Sequence, residues 1–160
     1  MKNIYLGFSN HNDWFSKLIM WVTEAPVSHC FVLINDPILG DMVMQATSGG
    51  VQINTLKTFK LTHNIVTVIE PKVDLSQAIK EIIEEDLGDG YDYTGDLGVA
   101  WIRLGKWLGK KWHNIFHTKK HEFCSALLTK LIQKARWPGS ETLVPDEVDP
   151  GELLKFVSKP

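Results

Sequence analysis

Two stretches decide the fold: Phe123-Cys124-Ser125-Ala126-Leu127-Leu128, and, almost a hundred residues earlier, Val27-Ser28-His29-Cys30-Phe31-Val32-Leu33. The first opens a strongly helical run with a thiol. The second opens a β-rich run with an imidazole. A thiol near neutral pH is mostly protonated and a poor nucleophile, but a neighbouring imidazole and the positive end of a helix both favour the thiolate. The pair therefore predicts that a strand start and a helix start converge.

Working outward, the elements needed for such convergence are present in order. Ile4-Tyr5-Leu6-Gly7-Phe8 is a short apolar strand, and Ser9-Asn10-His11-Asn12 is turn and cap chemistry. Trp14, Phe15, Leu18, Ile19, Trp21 and Val22 then recur at helical spacing until Ala25-Pro26. His29 to Asn35 and Met42 to Thr47, joined across Asp36 to Asp41, read as a hairpin. Val51 to Leu56 and Asn64 to Glu70 add two strands, the latter bounded by Pro71, so the sheet is predicted to be antiparallel. From Leu75 the period becomes helical and stops at Gly88-Asp89-Gly90, and residues 97–116 read as broken helix. Glu122 to Lys134 is helical up to Trp137-Pro138-Gly139, and a last short helix closes the chain. Fold class is therefore α+β.

With 160 residues, 44% hydrophobic, the chain is predicted to form one domain spanning 1–160. A net charge of -2 with both signs interspersed gives no pull toward nucleic acid. Two cysteines in a domain able to build its own core imply free thiols rather than a disulfide scaffold. Asn10-His11-Asn12-Asp13 interrupts the early apolar residues before a signal-peptide core forms, and no apolar run approaches the ~20 residues of a membrane span, so the chain as written is expected to stay unexported, in the cytoplasm. Period-two alternation puts His29, Phe31 and Leu33 on one face of their strand and Cys30, Val32 and Ile34 on the other. His29 and Cys30 are accordingly not expected to serve one cleft, and Cys30 is assigned to the core.

In its ordered motifs the chain resembles the permuted papain-like branch of the NlpC-type cysteine peptidases, the group of YiiX-like proteins. The motifs are the Gly-containing strand Ile4 to Phe8, Ser28-His29, Gln45-Ala46-Thr47-Ser48-Gly49-Gly50-Val51, Tyr91-Asp92-Tyr93-Thr94-Gly95 and Phe123-Cys124-Ser125. The resemblance covers most of the chain. It implies a circularly permuted papain-like fold in which Cys124 is the nucleophile, His29 the general base and then acid, and Gln45 the group that orients the imidazole. Ser28, Ser125, Tyr91 and Tyr93 are the substrate contacts it suggests, although each tyrosine is equally placed to pack on the core. It implies no cofactor and no metal. The implied reaction is hydrolysis of an amide, with a peptide of the peptidoglycan type as partner. One departure stands out, because the family commonly has a carboxylate where Gln45 stands; an amide fixes a tautomer without stabilising an imidazolium by charge. Two alternatives follow: lipid acyl transfer or thioester chemistry on the same dyad, as in the related lecithin retinol acyltransferase-like branch, and a catalytically silent binding module.

Two further features compete for a role. His113, His117 and His121 share a helix face, but three ligands spread over about 12 Å of axis are too far apart for one ion, and a solvated basic face is the simpler reading. Trp101, Trp107 and Trp112, interleaved with lysines, are a candidate lipid-surface contact or a groove lining.

Overall fold

The computed structural model describes residues 3–47, 50–86 and 124–159. Five antiparallel strands form one sheet in the order β4-β3-β2-β1-β5: β1 Ile4–Asn10, β2 His29–Asp36, β3 Gly40–Thr47, β4 Gly50–Thr55 and β5 Asn64–Ile69. The helices are α1 Trp14–Thr23, a single turn α2 Leu56–Phe59, α3 Ser76–Asp86, α4 Cys124–Lys134 and α5 Pro150–Val157, with a 3-10 turn at Ser140–Thr142. The α+β class and the antiparallel sheet are as expected.

Local chemistry explains the boundaries. Asp13 caps α1 by accepting from the Ser16 N–H at 2.7 Å. Asp36 Oδ1 accepts from the N–H groups of Ile38 and Leu39, both at 2.8 Å, and Gly40 at φ +79° completes the β2–β3 turn in a region that side chains disfavour. β1 runs two residues beyond Phe8, since Ser9 pairs with His29 and Asn10 with Asn64. Leu56, expected to end β4, instead begins α2, whose first turn is capped by the Thr55 hydroxyl accepting from Thr58 N–H at 3.2 Å.

Alternation divides the core into two unequal parts. Leu6, Phe8, Cys30, Val32, Met44 and Ala46 face α3, α4 and α5, meeting Ile79, Ile82, Leu127, Leu128, Leu131, Ile132 and Leu153. The opposite face carries a cluster of four buried hydrophobic residues, Phe31, Leu33, Val43 and Phe59, the last from α2. Gly7 pairs with Phe31 across β1 and β2, and the Phe31 ring lies over it: a Cβ there would sit 2.2 Å from Phe31 Cζ. α1 turns Phe15 and Ile19 toward a cleft and leaves Trp14, Leu18 and Trp21 exposed. No helix among the described residues is long and apolar enough to cross a membrane.

Candidate active site

The cleft, about 280 Å³, opens where the two sheet faces meet at the ends of β1, β2 and β3. His29, Gln45 and Cys124 all line it, together with Ser28, His11, Asp13, Phe15, Ile19 and His63. His29 is the first residue of β2 and Gln45 lies in β3 on the same face as Phe31 and Val43, while α4 brings Cys124 from the opposite face. The sheet's end is thus the one place where these groups can meet.

His29 Nε2–H donates to Gln45 Oε1 at 2.9 Å, with Gln45 buried. That bond places the ring proton on Nε2 and leaves the Nδ1 lone pair to serve the thiol. His29 acts on the Cys124 thiol by its charge and by a hydrogen bond, both of which favour the thiolate as an adjacent base does. The Cys124 thiol is held well below its ordinary value, first by a hydrogen bond from the Cys30 thiol and then by the His29 charge and hydrogen bond, against the opposing effect of burial. Cys30 moves the other way: burial pushes its thiol well up, and the neighbouring Cys124 adds to that.

Cys30 corrects one expectation in part. Its assignment to the core holds, since it is 1% exposed and absent from the cleft lining. Yet His29 and Cys30 both act on the Cys124 thiol although they point to opposite faces, because both lie at the first residues of the strand, near the helix end that closes the sheet. Ser28 lines the cleft, but its hydroxyl is engaged by Ser16 Oγ at 2.5 Å. Ser125, expected as a substrate contact, is buried and does not line the cleft. Successive helical residues diverge by about 100°, so a helix that points Cys124 at the cleft turns Ser125 into the core. Tyr91, Tyr93, Trp101, Trp107, Trp112, His113, His117, His121 and Phe123 lie outside the described residues. Among the described residues, no group of three His, Cys, Asp or Glu is arranged to hold a metal ion.

Two further histidines stand beside His29: His11, which the sequence places in cap and turn chemistry, and His63. His63 stacks on Phe59 with centroids 3.9 Å apart, and its centroid is 5.0 Å from that of His29. Its Nδ1–H donates to the Thr62 hydroxyl at 3.0 Å and the Phe59 carbonyl at 3.3 Å, so Nε2 accepts the Nε2–H of His11 at 2.9 Å. Asp13 Oδ2 lies 3.3 Å from His11 Nδ1. Burial, followed by the charges of His29 and His11, lowers His63 to about 3, so a neutral ring borders the His29 imidazole. No sequence signal marked His63, because Thr62-His63-Asn64 has the composition of an ordinary loop before a strand.

Compared with known proteins, the chain matches no family model and no curated protein sequence.

Proposed function

We propose that this chain is a cysteine-dependent hydrolase of the permuted papain-like kind, cleaving an amide bond in a peptide of the cell-wall type. The observation that carries the reading is the alignment of Gln45, His29 and Cys124 in one cleft, with the His29 proton directed to Gln45 and the thiol partner of the imidazole already lowered. The motif order Ser28-His29, Gln45-Ala46-Thr47 and Cys124-Ser125 supports the same assignment.

In this mechanism the Cys124 thiolate attacks the amide carbonyl carbon while its proton resides on His29 Nδ1. The tetrahedral intermediate collapses as His29 returns that proton to the departing amine, leaving an acyl thioester on Cys124. Water, deprotonated by His29, then cleaves the thioester and releases the carboxylic acid. The Cys124 backbone N–H is the candidate donor to the oxyanion. Gln45 holds the imidazole plane throughout. Because it is neutral, the imidazolium relies on the thiolate itself for charge compensation, which favours the resting ion pair over a long-lived imidazolium later in the cycle.

One observation favours a second reading, hydrolysis or transfer of a lipid acyl group. Phe15 and Ile19 give the cleft an apolar wall, and the outer face of the same helix exposes Trp14, Leu18 and Trp21. The deciding comparison sets muropeptides beside nitrophenyl esters of growing chain length. Cleavage of muropeptides, lost in Cys124→Ala, is expected; efficiency that climbs with ester chain length while muropeptides stay intact would transfer the assignment to acyl chemistry. Inactivity of the wild type on both series would leave a binding module.

A further inference from the structure

The hydrogen bonds around the cleft leave donor hydrogens without acceptors. Gln45 lines the cleft although it is only 6% exposed. Its Oε1 accepts from His29 Nε2–H at 2.9 Å, which fixes where the nitrogen end of the same carboxamide points. That end carries two hydrogens, and no group among the described residues accepts from either. A second donor stands in the same wall. Ser16 and Ser28 are buried and line the cleft; Ser16 Oγ accepts from the His11 backbone N–H at 2.9 Å and lies 2.5 Å from Ser28 Oγ. The contact between the hydroxyls uses one of their two hydrogens, so whichever serine donates, the other keeps a hydrogen that no described residue accepts. Buried donors without acceptors are costly, and native folds keep few of them. Two such groups in one cleft of about 280 Å³ make a wall that an acceptor on a bound molecule completes.

Charge narrows the choice of acceptor. Among the described residues that line the cleft there is no lysine or arginine, and the one carboxylate, Asp13, has Oδ1 on the Ser16 N–H at 2.7 Å and Oδ2 3.3 Å from His11 Nδ1. An anionic ligand would meet that carboxylate with no lysine or arginine to answer it, whereas an uncharged carbonyl oxygen accepts hydrogen bonds without the repulsion. We propose that Gln45 Nε2–H, with the spare hydroxyl of the Ser16–Ser28 pair beside it in the wall, forms a subsite for uncharged amide carbonyls of the bound molecule. Gln45 then has two tasks: its oxygen holds the His29 ring and its nitrogen touches the ligand. A peptide repeats such carbonyls along its length, while an acyl chain has none beyond its own ester. The inference rests on the amide-hydrolase reading and names what the cleft grips besides the bond to be cut.

The test is a nuclear magnetic resonance titration of the full chain with N-acetylalanine N-methylamide, a small uncharged diamide, and separately with butylammonium, which has donors and no acceptor. Cys124→Ala is run in parallel so that cleavage cannot mask binding. The Gln45 side-chain NH2 signals, identified by their loss in Gln45→Glu, should move downfield on addition of the diamide and stay in place with butylammonium. Gln45→Glu keeps an acceptor for His29 but exchanges the nitrogen donors for a second acceptor, so it should bind the diamide at least about fivefold more weakly. Overturning results are Gln45 NH2 signals unmoved by the diamide up to its solubility limit, equal affinity for it in Gln45→Glu, or tighter binding of butylammonium, which would make Asp13 the anchor instead. The wild-type signals alone decide if the variant fails to fold, their assignment then coming from through-bond correlation to the Gln45 backbone. Binding needs no turnover: a chain that holds the diamide through Gln45 yet cleaves no muropeptide refutes the hydrolase reading alone, and one that cleaves muropeptides with Gln45 unmoved refutes this subsite alone.

Discussion

Gly7 is the position where one added carbon should travel furthest through the molecule. A Cβ there would lie 2.2, 2.3 and 2.7 Å from three atoms of the Phe31 ring, where ordinary carbon contacts are about 3.5 Å or more, so the ring must withdraw by over an ångström. It has nowhere to go: Phe31 is fully buried and its centroid is 4.5 Å from that of Phe59. Overpacking of this kind costs about 1–3 kcal/mol, and a neighbour that is itself immobilised argues for the upper end. Replacing glycine also removes freedom from the unfolded chain, which returns about 0.5–1 kcal/mol. Gly7→Ala should therefore destabilise by about 2 kcal/mol, lowering the melting temperature by roughly 4–8 °C for a domain of this size. Displacement of Phe31 passes to Phe59, on which His63 is stacked and beside which His29 stands at 6.2 Å, so alkylation of Cys124 by iodoacetamide should slow as well. Circular dichroism in urea measures the first effect, and a double-mutant cycle with Phe31→Leu isolates its cause. The smaller side chain should recover at least about 1 kcal/mol of the Gly7→Ala loss. Strict additivity of the two substitutions, or an unchanged melting temperature in Gly7→Ala, would refute the steric account.

Other consequences follow from the site itself. At pH 6.5, iodoacetamide should label Cys124 well before Cys30; His29→Ala should slow Cys124 labelling at least about tenfold, and Gln45→Ala should lower hydrolysis by about ten- to a hundredfold while leaving the far-ultraviolet spectrum unchanged. His63 should make the protein acid-sensitive: its folded value near 3 lies below the ordinary 6.5, so the unfolded chain binds more protons between those limits, and stability is complete above pH 6.5 and falls as pH drops toward 3. Since the ring is partly open to water, about 1 kcal/mol of loss is expected at pH 5, and His63→Phe should flatten the fall in urea midpoint between pH 7.5 and 5.

Much of the sheet could be read from β-rich runs bounded by turn residues. His29 to Asn35 and Met42 to Thr47 are such runs, each with four consecutive buried residues because both faces of the sheet are covered there, and β2 and β3 pair as the intervening Asp and Gly residues require. The pairing of β1 with β5 was beyond that reasoning, since it joins residues more than fifty positions apart through a bulge between Phe8 and Ser9, and local propensity carries no information about it. Leu56 was assigned to a strand as the apolar end of the run that begins at Val51; the Thr55 cap starts a helical turn there instead. Within the site, Cys124, His29 and Gln45 were accessible through the order of their motifs. Cys30 was placed correctly in the core, but its effect on the Cys124 thiol depends on how a helix end meets a sheet end. His11 and His63 were missed for a related reason: they lie on two loops brought together by the β1–β5 pairing, so neither sits in a pattern that marks it.

The uneven division of the core bears on how the protein fails when heated. Cys124 is anchored on the side where three helices cover the sheet, whereas Phe59 and His63 depend on four buried side chains and one helical turn among the described residues. Amide hydrogens of residues 56–63 should exchange with solvent through local opening at a fraction of the free energy that protects β1, β2 and α4. Each such opening removes the support beneath His29 and leaves the sheet and the thiol in place. Heating should accordingly slow alkylation of Cys124 before the global unfolding transition, and reversibly on cooling, with the His29 side of the site the first to be lost.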